Sequence, residues 1–415
     1  MREKAITKKT GSWDFGDEVE PRIHRIHAYP AKFPAFITSK AIAAARRKGV
    51  NVRKVVDIFC GCGTTALEAC RAGVEFWGCD INPVATLIAN VKSNSYDVET
   101  LQKYRELVLE KFDEGKTSTV SIGDLPERLK YWFHLDDELT LKVLLDAIRS
   151  SVAEGKYRDF FLCAFSNILK PVSKWLTKSI KPQVDPVKPR VDVRTVFVKQ
   201  VDFMVKAVQE TPIPKTAKRE IENANLLDLK VDRSFADVIV TSPPYVTSYE
   251  YADLHQLSSL WLGYTDDYRK LRQGTIGSMF NKEDLSQKKI PVINAVGERM
   301  VKRLEKVDRS KARASRRYFV DMQKAVVKCK RILRRKGMVF FVIGDTEYKG
   351  VKVKNSEYLA QCMRDLGFSD VRKVKRNITG KILTPYRNEN GRFSREATAS
   401  KKIYAEEYVL MGRVA

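Results

Sequence analysis

The sequence predicts an α/β protein built on a parallel sheet, because two short apolar strands flank a glycine turn and a helix. KVVDIF (54–59) is a β-branched apolar run that stops at glycines, and VEFWGCDIN (74–82) is a second run that ends in a carboxylate. The intervening TTALEACRAG has helical composition. Strand, turn, helix and strand in this order are typical of a βαβ unit and therefore of a parallel sheet. ADVIVT (236–241) and GMVFFVIGD (337–345) predict further buried strands of the same sheet.

The composition favours a large globular protein that carries no metal. The chain has 415 residues, of which 43% are hydrophobic, so it can bury a substantial core as one large domain with insertions or as two to three smaller units. An apolar run of about 18 residues and a secretory signal are both lacking, so neither membrane insertion nor secretion is expected. The seven cysteines are irregularly spaced, which favours reduced thiols and a cytoplasmic location. Cys60-x-Cys62 has neither a second pair nor a histidine cluster to complete a zinc site.

The net charge points to a polyanionic partner. Lys and Arg total 76 against 51 acidic residues, a formal charge of +25. Basic side chains that neutralise phosphates release condensed counterions, so an excess of this size favours nucleic acid.

Residue patterns divide the chain into a core and inserted segments. Residues 1–20 are expected to form a flexible arm, and residues 21–95 and 220–415 the core. Residues 96–219 have helical spacing and predict an insertion, a candidate for target recognition. Residues 264–318 are basic and helical, which indicates either a solvated helix face or a DNA-contacting arm.

The turn after the first predicted strand is a candidate nucleoside site. Gly61 and Gly63 allow the backbone to approach a ligand closely, and Asp80 at the end of the next strand can accept both hydroxyls of a ribose. The full G-x-G-x-x-G spacing and a phosphate-binding lysine are absent, which weighs against a dinucleotide or a nucleoside triphosphate. A nucleoside cofactor without a pyrophosphate is therefore expected.

The turn after a later strand is a candidate catalytic loop. Ser242-Pro243-Pro244-Tyr245 follows ADVIVT, and ligand sites of open α/β sheets lie at the carboxyl ends of strands. The two prolines restrict the backbone, so the Ser242 hydroxyl and the Pro243 carbonyl are predicted acceptors for the two hydrogens of an amino group. Tyr245 offers a flat face for a base. The structural alternative is a proline turn that only closes the strand.

Four motifs resemble those of the amino-group DNA methyltransferases of restriction–modification systems. IFCGCGTT resembles their cofactor motif, CDINP their acidic ribose-binding segment, and TSPPY their catalytic tetrapeptide in the serine form typical of cytosine-N4 enzymes. IHAYPAKFPAFI (26–37) resembles the segment beside the methionine end of the cofactor. The resemblance covers roughly 21–95 and 220–350, and the cofactor motif precedes the catalytic motif, the reverse of many cytosine-N4 enzymes.

This resemblance implies a Rossmann-like fold with a mixed seven-stranded sheet and helical insertions, and S-adenosylmethionine as cofactor. It implies double-stranded DNA with a flipped base as substrate, and a cognate restriction endonuclease as a candidate partner. The catalytic residues that it implies are Ser242, Pro243, Pro244 and Tyr245. The implied cofactor-binding residues are Tyr29, Lys32, Phe33, Asp57, Phe59, Gly61, Gly63, Thr64, Thr65, Asp80, Ile81, Asn223 and Ala224, the last two on a strand predicted at NANLLDL (223–229).

Several alternatives share these motifs. Adenine N6 presents a similar amino group, and RNA guanine-N2 methyltransferases use a related tetrapeptide, usually with Asp or Asn in place of Ser242. A nucleic-acid-binding protein with an inactive methyltransferase core is the non-enzymatic alternative, against which the intact Gly61, Gly63, Asp80 and Ser242 speak. Cytosine C5 methylation requires a cysteine nucleophile, usually after a proline, and none of the seven cysteines follows a proline.

Overall fold

The computed structural model describes eleven segments of the chain. They are residues 13–14, 19–30, 32–115, 125–246, 250–278, 280, 292–377, 386–387, 398, 401–402 and 406–415.

Within these segments the protein has a Rossmann-like α/β fold with a mixed seven-stranded sheet. The strands are β1 (Lys54–Asp57), β2 (Glu75–Asp80), β3 (Arg219–Asn223), β4 (Ala236–Thr241), β5 (Leu333–Ile343), β6 (Thr346–Tyr348), β7 (Val351–Val353), β8 (Ser369–Asn377), β9 (Tyr386–Arg387), β10 (Lys401–Lys402) and β11 (Glu406–Arg413). The sheet order is β3-β2-β1-β4-β5-β11-β8, and the remaining strands form two small hairpins. β11 runs antiparallel to both of its neighbours, which makes the sheet mixed.

The described helices cover both faces of the sheet and build the insertion. They are α1 (Phe36–Arg47), α2 (Thr64–Arg71), α3 (Pro83–Lys92), α4 (Val98–Gly115), α5 (Glu127–Trp132), α6 (Leu135–Ser151), α7 (Lys156–Val172), α8 (Val193–Glu210), α9 (Tyr251–Leu254), α10 (Gln256–Trp261), α11 (Ala295–Glu305), α12 (Arg309–Ile332) and α13 (Asn355–Asp365). None of them is both long enough and apolar enough to cross a lipid bilayer.

Alternating residues of the central strands pack into opposite layers. In β4, Val238 and Val240 are buried against α1 and α2, whereas Ile239 is buried against the layer of α11, α12 and α13. Side chains of a strand point alternately to the two faces of a sheet, so a fully apolar strand is expected where both faces are covered. This burial fixes β1 and β4 side by side at the centre of the sheet.

Helices α4 to α8 form a hydrophobic core together with residues of α2, α3 and α10. Trp132 stacks on Trp175 with ring centroids 5.0 Å apart. Phe133 and Phe165 meet the ring of Trp261, in α10, edge to face at 5.8 Å. The insertion is therefore packed firmly against the segment that follows the Ser242–Tyr245 loop.

The strand predicted at 223–229 is wrong in position. The strand is β3, which ends at Asn223 opposite Asp80 of β2. Asn225 then starts a turn, since its side-chain oxygen accepts from the Leu227 amide at 3.0 Å and its carbonyl accepts from the Asp228 amide at 3.0 Å. An asparagine that bonds the backbone two residues on competes with strand pairing.

Two predicted segments have more packing than the sequence suggests. Most of the arm over 1–20 lies outside the described residues, but Trp13 is 4% exposed and its carbonyl accepts from Arg376 at 3.2 Å. The described part of segment 264–318 contains α11 and the first part of α12, whose Met300, Leu304 and Tyr318 lie in the core beneath the sheet. The exposed Arg299, Lys302 and Arg303 therefore lie on a helix that packs into this core.

Candidate active site

A cleft opens at the carboxyl ends of β1 and β4. The chain leaves β1 toward β2 and leaves β4 toward β5, so the strand order reverses between them. Such a reversal leaves a crevice in which ligands of open α/β sheets bind. The cleft, with its solvent-open mouth, encloses about 1020 Å³. Its lining residues are Tyr29, Lys32, Phe33, Ile58, Phe59, Cys60, Gly61, Cys62, Thr64, Asp80, Ile81, Asn82, Ala224, Asn225, Leu226, Ser242, Pro244, Tyr251, Ala252, Leu271, Gly274, Thr275 and Ile276.

Two glycines shape the turn after β1, each for a different reason. Gly61 has φ of 49° and Gly63 has φ of 75°, the left-handed region that disfavours a side chain. A Cβ on Gly63 would lie 2.6 Å from the Cα of Ala89, so this glycine lets α2 begin against α3. A Cβ on Gly61 would lie 3.6 Å from the ring of Tyr29, on the side of the cleft.

Asp80 presents a desolvated carboxylate to the cleft. Its Oδ2 accepts from the Gly61 amide at 2.8 Å and its Oδ1 from the Asn82 amide at 2.9 Å. Burial raises the pKa of this carboxyl, although the two amide bonds act to lower it. Beside it, the side-chain nitrogen of Asn82 is buried without a hydrogen-bond partner among the described residues. The wall of the cleft at the end of β2 therefore carries an acceptor, the Asp80 carboxylate, and an unsatisfied donor, the Asn82 side-chain amide.

Asp57 and Thr65, predicted cofactor contacts, lie behind the glycine turn and do not line the cleft. Asp57 is 1% exposed and accepts from the hydroxyls of Thr65 at 2.8 Å and Thr241 at 2.6 Å and from the Phe59 amide at 3.1 Å. Burial raises its pKa to about 6 against these three bonds. The network joins the ends of β1 and β4 and so holds the two candidate loops at a fixed separation.

The segment before α1 forms another wall of the cleft, through Tyr29, Lys32 and Phe33. Tyr29 stacks on His255 with ring centroids 5.1 Å apart, which joins this segment to the start of α10. Lys32 donates to Glu20 at 2.7 Å and to the carbonyl of His24 at 3.0 Å. Nearby, His27 Nε2 lies 2.8 Å from the hydroxyl of Ser166 in α7. The insertion thus holds this wall in place without lining the cleft itself.

Ser242 is oriented by the neighbouring strand. Its hydroxyl donates to the carbonyl of Val342 in β5 at 3.0 Å, and its side chain lines the cleft together with Pro244. A hydroxyl has one hydrogen and two lone pairs. Because the hydrogen is engaged with Val342, the lone pairs of Ser242 are left to accept.

The hydroxyl of Tyr245 is held in place by side chains of β11 and β8, at one edge of the sheet. Its hydroxyl donates to Glu407 in β11 at 3.2 Å, and Glu407 forms a buried ion pair with Arg376 in β8. Burial and the neighbouring Glu407 raise the pKa of Tyr245 well above its usual value, so the hydroxyl stays protonated. Tyr245 and the buried Pro243 are not among the residues that line the cleft.

The structure brings most of the sequence-predicted residues to one cleft and leaves a few outside it. Those that line it are Tyr29, Lys32, Phe33, Phe59, Gly61, Thr64, Asp80, Ile81, Ala224, Ser242 and Pro244. Those that do not are Asp57, Gly63, Thr65, Asn223, Pro243 and Tyr245. Asn223 instead donates its side-chain amide to the carbonyl of Asp80 at 2.9 Å.

The sequence did not reveal the third wall of the cleft. Tyr251, Leu271, Gly274 and Ile276 come from the segment after the catalytic tetrapeptide, part of which was assigned to DNA contact. A Cβ on Gly274 would lie 3.1 Å from Ile81 Cδ1, so this wall closes directly over the residue that follows Asp80. The glycines of GTIGS were the available signal, since Gly274 and Gly277 both have positive φ.

The described residues contain no group of three or more His, Cys, Asp or Glu side chains arranged to hold a metal ion. Cys60 and Cys62 are buried free thiols beside the glycine turn, and burial raises the pKa of Cys60 well above its usual value. Other polar groups that line the cleft are the Asp80 carboxylate, the Asn82 amide, the Ser242 hydroxyl and the Lys32 ammonium.

Comparison with curated proteins reveals relatives that span most of the chain. Type II methyltransferase M.MvaI of Kocuria varians is 24% identical over 387 residues, which cover 86% of this chain and 84% of that protein. Type II methyltransferase M.AvaI of Nostoc sp. is 26% identical over 406 residues, 86% of this chain and 81% of that protein. No protein-family model matches the chain.

Solved structures show only a distant likeness. The rRNA methyltransferase aviRa of Streptomyces viridochromogenes aligns with 95% of this chain and 90% of its own, at 9% identity and a TM-score of 0.32. TehB of Haemophilus influenzae aligns with 91% of this chain and 62% of its own, at 9% identity and a TM-score of 0.29.

The sequence comparison is the informative one. It shows that this chain is similar, over most of its length, to Type II methyltransferases.

Proposed function

We propose that this protein is an S-adenosylmethionine-dependent DNA methyltransferase that modifies the exocyclic N4 amino group of a flipped cytosine. The observation that carries the proposal is the cleft itself. It brings together the carboxylate of Asp80, at the end of β2, and the oriented hydroxyl of Ser242, after β4, with β1 between the two strands. Relatives that are Type II methyltransferases and match most of the chain support the same reaction class.

The residues of the cleft suit the cofactor. Asp80 supplies acceptors for ribose hydroxyls, and the unpartnered amide of Asn82 supplies a donor on the same wall. Ile81, Leu226 and Ile276 form an apolar wall for a flat heterocycle. When bound, the cofactor supplies a methyl group on a sulfonium centre.

The catalytic loop is suited to activate a weakly nucleophilic amine. The lone pair of the cytosine amino nitrogen is delocalised into the ring, and acceptors for both of its hydrogens would localise that pair on nitrogen. Ser242 has lone pairs to accept one hydrogen because its own proton is donated to Val342. The Pro243 carbonyl is the proposed second acceptor. Positioning supplies most of the acceleration, and acceptors aimed at the developing charge add to it.

Reaction at a base inside duplex DNA requires the base to leave the stack. Tyr245 is the proposed stacking partner, with its hydroxyl anchored on Glu407. Cytosine is preferred over adenine because the tetrapeptide has the serine form, as the resemblance implies. Pairing with a cognate restriction endonuclease follows from the same resemblance.

Phosphate contact is proposed for the exposed face of α11. This helix buries Met300, Val301 and Leu304 and exposes basic residues on the opposite side. The exposed basic residues are Arg299, Lys302, Arg303 and Lys306. Each phosphate contact contributes about 0.9 to the slope of log affinity against log salt, so glutamine at all four positions should flatten the slope by up to roughly 3.6. An unchanged slope would remove α11 from the interface.

Incorporation of a labelled methyl group tests the reaction class. The protein is incubated with S-adenosylmethionine labelled in the methyl group and with duplex DNA or transfer RNA in parallel. We expect label in DNA, and labelling at least about 100-fold slower with Ser242→Ala. Label in RNA alone, or in neither polymer, would refute the proposal.

A further inference from the structure

Five side chains from two distant parts of the chain form a continuous stack at the rim of the cleft. The guanidinium carbon of Arg128 lies 4.8 Å from the ring centroid of Tyr131 and 5.7 Å from that of Tyr268. That of Arg272 lies 5.4 Å from Tyr268 and 4.1 Å from Phe280. We call these residues the arginine–aromatic stack. It links α5 of the insertion to the segment that forms the third wall of the cleft.

Both guanidinium groups are held by the segment that follows the catalytic loop. Arg128 Nε donates to Gln256 Oε1 at 2.9 Å, and Arg272 Nε donates to Asp253 Oδ1 at 2.8 Å. Tyr251 and Ala252, one turn earlier, line the cleft, as does Leu271 beside Arg272. The stack therefore starts at the mouth of the cleft and is rigidly joined to it.

The two outer rings of the stack are half exposed. Tyr131 is 52% exposed and Phe280 is 48% exposed, among the few large hydrophobic residues with this exposure. The nearby charges largely compensate, since Asp253 pairs with Arg272 and Asp266 pairs with Lys270. The surface therefore presents the flat faces of aromatic rings and guanidinium groups, and its net positive charge is small.

We propose that the arginine–aromatic stack binds unpaired DNA bases next to the target nucleotide. The inference rests on the proposed function, because extrusion of one base leaves its complementary base unpaired and removes a stacking partner from the bases beside it. Aromatic rings and arginine planes stack on any base without reading its sequence. The insertion, which does not line the cleft, reaches the substrate through this surface.

Single-stranded DNA tests the inference directly. Binding of a fluorescein-labelled 20-nucleotide oligodeoxythymidine is measured by anisotropy for the wild type, Tyr131→Ala, Phe280→Ala and the double variant. Leu107→Ala is the matched control, since Leu107 is 38% exposed on α4, which packs on α6 and α8. Stacking of one base on one ring corresponds to a roughly fivefold or greater loss of affinity for each variant.

The salt dependence separates stacking from phosphate contact. The stack variants should lose affinity equally at low and high salt, so the slope of log affinity against log salt stays that of the wild type. Unchanged melting temperatures of the variants would show that the fold survives. A fall in the slope would overturn the inference, because it would indicate phosphate contacts.

Methyl transfer to duplex DNA, measured in parallel, keeps this inference distinct from the proposed function. If the wild type methylates DNA but the double variant binds the oligodeoxythymidine as tightly as the wild type, the inference fails and the function stands. Loss of binding in the double variant but not in Leu107→Ala supports the inference when the wild type also methylates DNA, and without methylation the proposed function and the inference both fail. Tighter binding of 20-nucleotide oligouridine than of oligodeoxythymidine would overturn it in favour of an RNA surface.

Discussion

The two sides of the cleft are built in different ways. The cofactor side, with Gly61, Gly63 and Asp80, is organised by groups that are close in sequence, such as the Gly61 amide that bonds Asp80. The catalytic side is organised by residues that are far away in the sequence. Ser242 is oriented by Val342 in β5, and Tyr245 by Glu407 in β11, which pairs in turn with Arg376 in β8.

This difference predicts which properties each side controls. Changes on the cofactor side should act on cofactor affinity, because its polar groups face a ligand and one another. Changes on the catalytic side should act on turnover, because its groups are held by the sheet independently of the cofactor loop. Asp57 is the link between them, since it bonds both Thr65 and Thr241.

The largest expected effect is that of Ser242→Ala on turnover. Removal of one positioned polar group typically lowers turnover by about 10²–10³. Cofactor affinity, measured by calorimetry, should change little because the Asp80 side is untouched. Ser259→Ala, a buried serine of α10, is the matched control for loss of a hydroxyl. Turnover like that of the wild type in Ser242→Ala would contradict the mechanism.

The next effect is that of Asp80→Ala on cofactor affinity. Hydrogen bonds to charged groups contribute about 1.5–3 kcal/mol each, so loss of one such bond weakens binding by about 10- to 150-fold. Asp232→Ala, at an exposed position, is the control. Equal calorimetric affinity for wild type and Asp80→Ala would remove Asp80 from the cofactor site.

A smaller effect is expected for the anchor of Tyr245. Tyr245→Phe removes the hydroxyl, and Glu407→Gln removes the charge that accepts from it. The difference between a charged and a neutral acceptor is about 1 kcal/mol, so Glu407→Gln should lower turnover by roughly fivefold, and Tyr245→Phe, which loses the whole bond, by at least as much.

The double variant sharpens this prediction. Because both changes break one contact, Tyr245→Phe with Glu407→Gln should be no worse than the poorer single variant. Additive losses in a double-mutant cycle of turnover would show that the two residues act separately.

The smallest effect is on the pH dependence of cofactor binding. Burial raises the pKa of Asp80, so its carboxylate takes up a proton earlier than an exposed aspartate as the pH falls. Protonation removes an acceptor charge, so affinity should fall by a few-fold as the pH is lowered from 8 to 5. Asp80→Asn cannot ionise and should bind more weakly with a flatter profile. Parallel profiles for the two proteins would assign the titration to another group.

The parts of this site that were predictable from sequence are those determined locally. The glycine turn, Asp80 and the Ser242–Tyr245 loop all lie at strand ends, and parallel strands bring their carboxyl ends to one edge of a sheet. The positions and burial of β1, β2 and β4 followed from the same apolar runs. The displacement of β3 arose because the side-chain bond of Asn225 determines where that strand ends.

The rest was not predictable because it depends on contacts between residues far apart in the chain. Glu407 and Arg376 resemble surface residues of a basic strand, and only the pairing of β8 with β11 buries them together. Gly274 and Ile81 are likewise far apart in the sequence, and only the fold brings them together. The pattern of a single sequence does not show which distant residues come into contact.

The chemical identity of the product tests the central claim most directly. DNA is incubated with the protein and S-adenosylmethionine carrying a deuterated methyl group, digested to nucleosides and analysed by mass spectrometry. The account predicts labelled N4-methyl-2′-deoxycytidine with the wild type, formed at least about 100-fold more slowly with Ser242→Ala. Labelled N6-methyl-2′-deoxyadenosine would contradict the assignment to cytosine, and labelled 5-methyl-2′-deoxycytidine would contradict the amino-group mechanism itself.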